Sequence, residues 1–284
     1  MELLHIVIWG VAVFTLVGIF FGVALAATAR SFYVASDPLI DQVRNELPSA
    51  NCGACGFAGC QGYAESVVEN TETQPSLCSP GGKSVATRVA ELTHKLATAV
   101  LEKVVLLRCS GITAVAKQQA HYEGIQTCSA ATLAFGGPKA CKNGCLGLGD
   151  CTRICPFDAI HIKDQGIAVV DVAKCTGCGL CVSVCPKNIL DLYPKNHRIE
   201  LTCVAKDSSP VVRPTCIVGC TTCRRCIKAC PAGAITWSGK TIEIDHEKCM
   251  AYGPDCNYAC SAICPTGVIH PPSVQPHPEV AKVK

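Results

Sequence analysis

Aromatic side chains are scarce in this chain, at 5% of 284 residues. That excludes large aromatic cores as its main source of folding energy. Charged residues are also few, at 17%, and residues 3–29 contain no Asp, Glu, Lys or Arg. No G-x-G-x-x-G follows a strand-like run, so the sequence offers no dinucleotide site. The eight histidines are scattered and repeat no Cys-x-His ligand spacing, which leaves them surface or packing roles. What the chain has in excess is cysteine, 24 residues. In a short secreted chain that density would suggest disulfides. Here the spacings argue metal, which requires a reducing compartment during assembly. Metal clusters then replace part of the apolar core as a source of folding energy.

The central stretch carries two cysteine runs. One reads Cys175-x2-Cys178-x2-Cys181-x3-Cys185-Pro186 and the other Cys141-x3-Cys145-x5-Cys151-x3-Cys155-Pro156. This is the bacterial ferredoxin spacing, in which three thiolates hold one 4Fe–4S cluster and the fourth reaches the neighbouring cluster. Crossing the fourth ligands predicts one cluster on Cys155, Cys175, Cys178 and Cys181, and another on Cys141, Cys145, Cys151 and Cys185. Zinc also binds paired C-x2-C motifs, but without the crossed Cys-Pro. The pattern recurs downstream as Cys220-x2-Cys223-x2-Cys226-x3-Cys230-Pro231, then Cys249-x6-Cys256-x3-Cys260-x3-Cys264-Pro265. The same crossing predicts clusters on Cys220, Cys223, Cys226 and Cys264, and on Cys230, Cys249, Cys256 and Cys260. A strand-like run precedes the second quarter of each module, 167–172 and 241–244.

Residues 3–29 are long and apolar enough to span a membrane. Arg30 follows at once, while the preceding end has Glu2 and no Lys or Arg. The positive-inside bias therefore predicts a single-pass anchor with the bulk of the chain in the cytoplasm. Ala27-Thr28-Ala29 resembles a signal-peptidase site, but the n-region lacks positive charge and the apolar run is too long for a signal peptide. Asp37-Pro38 opens a helix with Leu39, Ile40, Val43 and Leu47 on one face, stopped by Pro48. Next comes a glycine-rich run holding Cys52, Cys55 and Cys60, with Cys78 further on, a set that closes a single cluster. A structural zinc knot is the alternative for this set. A helix is expected at 63–70 between the third and fourth ligands. Apolar residues at 85, 89, 92, 96 and 100 predict another over 85–103, with Glu91 and Lys95 as an i,i+4 pair. A short strand is expected at 104–107.

Cys109, Cys128, Cys203 and Cys216 remain. They match one cluster's ligand count and suggest a sixth 4Fe–4S cluster joining the N-terminal region to the first ferredoxin module; free buried thiols are the alternative. The expected fold is α+β: a transmembrane helix (1–30), a small Cys-rich 4Fe–4S domain (31–84), a connecting region (85–138, with 200–217 contributing to the sixth site), and two tandem ferredoxin modules (139–199 and 218–271). Residues 272–284 read as a disordered tail. The formal charge of +3 counts thiols as neutral. With each oxidised cluster near −2 the loaded protein is acidic, so nucleic acid is not an expected partner. Arg213, Arg224, Arg225 and Lys228 form a local basic patch that reads by default as a solvated face, or as a steering surface for an acidic partner.

The N-terminal span, Leu47-Pro48-x2-Asn51-Cys52-Gly53-Ala54-Cys55-Gly56-x2-Gly59-Cys60, the run Gly144-Cys145-Leu146-Gly147-Leu148-Gly149-Asp150-Cys151, and the ferredoxin repeats together resemble the B subunit of the Rnf complex, a membrane-bound ion-translocating ferredoxin:NAD oxidoreductase. The resemblance covers nearly the whole chain up to about Pro271. It implies an electron-transfer subunit of a bacterial or archaeal cytoplasmic-membrane translocase. Such a subunit takes electrons from soluble ferredoxin and passes them to membrane subunits that carry flavins and a 2Fe–2S centre, with NAD reduced elsewhere. The x6 gap after Cys249 departs from the usual pattern. A membrane-tethered polyferredoxin adaptor of another redox complex, a reductase or hydrogenase, is the alternative.

Overall fold

The computed structural model describes residues 2–32, 37–98 and 100–272; the expected disordered tail falls outside them, apart from Pro272. Helix α1 (Glu2–Ser31) is long and apolar enough to cross a membrane. None of its described residues is buried against the rest of the chain. Its charge distribution, Glu2 in the first turn and Arg30 in the last, complements the helix dipole.

The N-terminal unit is built from α2 (Pro38–Glu46), α3 (Gly59–Glu69) and α4 (Gly82–Thr93). Asp37 caps α2 by accepting from the Leu39 N–H at 2.8 Å, and Pro38 sits at the first position. Ile40, Val43, Leu47, Tyr63, Ala64, Val67 and Val89 close one apolar core, with Cys55, Cys60 and Cys78 packed against it. Val89 brings α4 into this core, so the packed unit extends beyond the boundary expected at residue 84. The helix expected over 85–103 stops at Thr93, where His94 takes a left-handed conformation. Glu91 and Lys95 consequently do not pair. Arg88 takes Glu91 at 3.0 Å. Lys95 turns back and donates to the carbonyls of Val67, Asn70 and Thr73 at 2.7, 2.6 and 3.0 Å. Ending the helix there lets one ammonium satisfy carbonyls at the C-terminal end of α3 and in the turn that follows it.

Strand β1 (Lys103–Leu107) leads into the first ferredoxin module. That module continues through α5 (Cys128–Phe135), α6 (Asp150–Ile154), β2 (Ile160–Lys163), β3 (Ile167–Val170), α7 (Leu180–Val184) and β4 (Leu190–Pro194). Strands β2 and β3 form a hairpin, and β1 pairs antiparallel with β4 from Lys103↔Pro194 to Leu107↔Leu190. The segment expected to be a connector is therefore woven into the module it precedes. A Cβ on Gly177, at φ +66°, would meet the Lys103 carbonyl oxygen, so the close approach of this cysteine loop to β1 requires glycine.

The second module repeats the plan with β5 (Glu200–Leu201), α8 (Ser209–Thr215), α9 (Arg225–Ala229), β6 (Ile235–Trp237), β7 (Ile242–Ile244), α10 (His246–Tyr252), α11 (Ala259–Ala262) and β8 (Ile269–His270). Here β6 and β7 form the hairpin, and β5 pairs antiparallel with β8. Ile199, Leu201, Ile235, Ile242, Val268 and Ile269 fill its core, against which Cys220, Cys230, Cys249, Cys260 and Cys264 pack. Short helices carry the cysteines and small hairpins pack beside them, so each module shields most of its sulfurs, Cys223 excepted, with few large side chains.

Candidate metal centres

All 24 cysteines are free thiols, and they gather into groups of four. Cys52, Cys55, Cys60 and Cys78 form the N-terminal group. The Asn51 side chain accepts from the Cys60 N–H at 2.9 Å and fixes the loop at the start of α3. Burial pushes the Cys78 thiol up to about 11, and charge on Cys55, Cys60 and Cys52 pushes the same way. Cys155, Cys175, Cys178 and Cys181 form a second group. The Cys181 thiol is pushed up to about 12 by burial first, then by Cys178, Cys175, Cys151 and Cys155 nearby. In the second module Cys220, Cys223, Cys226 and Cys264 line one cavity. Cys230, Cys249, Cys256 and Cys260 line another.

Two groups differ from the sequence expectation. Cys128, Cys145, Cys151 and Cys185 share one cavity. Cys109, Cys141, Cys203 and Cys216 share another, of about 90 Å³. Cys128 and Cys141 have thus exchanged places relative to the sets drawn from spacing. The cause is tertiary. Asp150, 8% exposed, accepts from the Cys128 N–H at 2.9 Å, the Ser129 N–H at 3.0 Å and the Ser129 hydroxyl at 2.7 Å. That clamp draws the N-terminus of α5 onto the first module. Burial opposes the Asp150 carboxylate, but the bonds from Ser129 and Cys128, with Arg153 alongside, hold its pKa below the usual range. Cys141 meanwhile lines the same cavity as Cys109 and Cys203, which form a strand bridge. Burial pushes the Cys216 thiol up to about 11, with Cys109 and Cys141 adding to the effect.

The position of this bridging group also departs from expectation. It does not join the N-terminal unit to the first module; it joins the two modules. The Cys145 N–H donates to Cys109 Sγ at 3.3 Å on one side, and the Cys220 N–H to Cys203 Sγ at 3.2 Å on the other. The N-terminal group instead meets the first module directly. The Cys178 thiol is pushed up by burial, and by Cys52 and Cys155 close by. Neighbouring groups therefore meet in the order headed by Cys52, Cys175, Cys145, Cys109 and Cys220, and the Cys249 group packs on the same core as the Cys220 group.

The stretched x6 segment has its own anchor. Arg198 Nη1 donates to the carbonyls of Cys249, at 3.4 Å, and of Gly253, and lies 4.0 Å from Cys256 Sγ. Its guanidinium sits 5.3 Å from the Tyr258 ring centre. One side chain thus ties together both cysteines flanking the insertion.

These groups fit 4Fe–4S clusters. The cavities in the two modules are ringed by four sulfurs each. Backbone N–H groups point at the sulfurs, among them Val105 to Cys175 at 3.4 Å, Gly111 to Cys109 at 3.4 Å and Ala205 to Cys203 at 3.4 Å, as cluster thiolates require. Burial that raises a thiol's pKa makes four adjacent thiolates untenable without a cation among them. Among the described residues no three His, Cys, Asp or Glu side chains are placed to hold a single ion, which a mononuclear zinc site needs. Sequence reading missed Asp150, Arg198 and Lys139, the last of which lines the bridging cavity. Only Asp150, beside Cys151, had a neighbour that could have marked it.

Three families match the chain: one described as "Putative Fe-S cluster" over residues 47–80, and two described as 4Fe-4S dicluster domains over 140–192 and 219–268. The chain is 42% identical over 267 residues to the B subunit of the proton-translocating ferredoxin:NAD(+) oxidoreductase complex of Clostridium ljungdahlii, covering 94% of this chain and 93% of that protein. It is 40% identical to the Na(+)-translocating counterpart of Acetobacterium woodii, over 94% of this chain and 78% of that one. The B subunit of an ion-translocating oxidoreductase complex of Methanosarcina acetivorans is 38% identical, over 93% and 98%.

Proposed function

The chain belongs to the family of B subunits of ion-translocating ferredoxin:NAD oxidoreductase complexes, and from that premise we propose that it carries electrons from soluble ferredoxin along six cysteine-held 4Fe–4S clusters to its partner subunits in the membrane. The succession of adjacent four-cysteine groups is the observation that carries this reading. Bound there, the clusters supply one-electron chemistry at low potential. The chain's residues supply the thiolates, the N–H donors to sulfur, the burial and the end-to-end placement. The alternative role, an adaptor of a different redox complex, is disfavoured by identity that runs across nearly the whole chain. NAD reduction belongs to another subunit in this reading, since the sequence carries no dinucleotide motif.

Ferredoxin enters at the second module. Cys223 is exposed there, and Arg224, Arg225 and Lys228 stand around it on the same module. Arg224 lies 4.5 Å from the Trp237 ring centre, which presents its charge at the rim of the Cys220 group. Reversing two of these charges, Arg225→Glu with Lys228→Glu, should slow reduction by ferredoxin about tenfold at low salt and flatten its salt dependence. Stopped-flow reduction at two ionic strengths checks this; equal rates at low salt would move the docking site elsewhere.

The cysteine-bearing bulk of the chain lies on the cytoplasmic side, anchored by α1, because Arg30 follows the apolar span at once. A cytoplasm-active reporter joined after Lys284 should be active, and a periplasm-active one silent. The reverse pattern would overturn the orientation and with it assembly in a reducing compartment.

A further inference from the structure

Among the described residues Lys139 is the one buried lysine, 4% exposed. Its ammonium donates to the carbonyls of Gly111 at 2.8 Å and Gly166 at 3.1 Å, and no carboxylate pairs with it among the described residues. A buried ammonium held only by carbonyls is costly unless an anion stands close by. Lys139 lines the same cavity as Cys109, Cys141, Cys203 and Cys216. The other charged groups around that cavity are already committed or open to water. Arg108 pairs with Asp191 at 3.3 Å, while Lys142 and Asp207 are exposed. Lys187, beside the neighbouring cavity, makes a similar pair of carbonyl bonds but is only half-buried.

We propose that Lys139 is the built-in counter-charge of the bridging site, a positioning residue that raises the reduction potential of the 4Fe–4S cluster held there. The inference rests on the reading of that cavity as a cluster site. Four thiolates around an oxidised cluster leave about −2 of charge, and one more electron adds another negative charge. A fixed positive charge a few ångströms away in a poorly solvated site favours the reduced form. The bridging group stands where the two modules meet, so its potential bears on whether charge crosses between them. The two carbonyl bonds hold the ammonium in place and tie the Cys109 loop to the β2–β3 turn.

The test uses full-length protein with its clusters loaded, and a redox titration followed by electron paramagnetic resonance. The bridging signal is first identified as the one missing from Cys203→Ala. Lys139→Gln keeps an N–H donor, on a side chain one atom shorter, but carries no charge. It should retain its iron, while the bridging signal titrates lower by at least tenfold in equilibrium constant, about 59 mV for one electron. Lys139→Arg, which keeps the charge, should stay near the wild-type potential. An unmoved potential in Lys139→Gln overturns the proposal. If Lys139→Gln loses the bridging cluster, retention of cluster and potential in Lys139→Arg supports the charge role. Loss in both variants makes Lys139 a structural tie only and overturns it. A wild-type protein with no signal lost in Cys203→Ala would instead sink the site itself, a separate and recognisable failure.

Discussion

Cys203→Ala should split the protein electrically at its middle. Cys203 stands where the two modules meet: it bridges Cys109 across paired backbone, and its Sγ accepts from the Cys220 N–H at 3.2 Å and the Ala205 N–H at 3.4 Å. Burial pushes its thiol up to about 12, those two N–H groups opposing the shift, so as a free thiol it would stay protonated at neutral pH. Removing it should take about four iron atoms from a total of about 24. Reduced ferredoxin, too large to reach buried sites, should then reduce the second module while the first module and the N-terminal group stay oxidised. The modules should also dock less firmly, because metal binding here is part of folding. Iron analysis and visible spectra after ferredoxin addition measure both effects. Full iron content with normal reduction of the first module would show that these thiols bind nothing and that the count is five.

The sequence carries local chemistry plainly and tertiary choice poorly. The Asp37-Pro38 start of α2, the strand at 103–107 and the second strand of each hairpin could be read from neighbours in the chain, because caps, turns and alternation are short-range signals; the first strands were not marked. The helix over 85–103 could not. Its apolar period continues past Thr93, but an alternative use for Lys95, closing carbonyls at the end of α3 and in the turn that follows it, lies 22 to 28 residues away. The ligand sets show the same limit. Cys141 belongs by spacing with Cys145, yet side chains four residues apart in a loop need not face the same way. The turn at Cys141–Gly144, closed by Gly144 N–H to Cys141 O at 3.2 Å, sends the two sulfurs to different cavities. The place left vacant is taken by Cys128, through a carboxylate 22 residues further on. Arg198 is a third case. Nothing in the x6 gap announces that an arginine about fifty residues upstream ties its two ends.

The exchange of Cys128 and Cys141 makes its own sharp expectation, because ligands of one cluster fail together and ligands of different clusters fail separately. Each single alanine variant, at Cys128, Cys141 or Cys203, should lose about four iron atoms. The doubles separate the alternatives. Cys141→Ala with Cys203→Ala should lose no more than either alone, since both sulfurs line the same cavity with Cys109 and Cys216. Cys128→Ala with Cys203→Ala should lose about eight, since Cys128 lines the cavity of Cys145, Cys151 and Cys185. Grouping by spacing predicts the reverse, with Cys128 and Cys203 redundant and Cys141 and Cys203 additive. The contrast is a non-additivity measurement, and its sign does not depend on how completely any one preparation is loaded, provided the variants are compared with wild type assembled alongside them. Asp150→Asn supplies an independent check. It weakens the clamp on Cys128 and Ser129 without touching a thiol, so it should deplete the Cys145 site and leave the bridging signal intact. Loss of the bridging signal in Asp150→Asn, or redundancy between Cys128 and Cys203, would return Cys128 to the bridging cavity and Cys141 to its sequence neighbours.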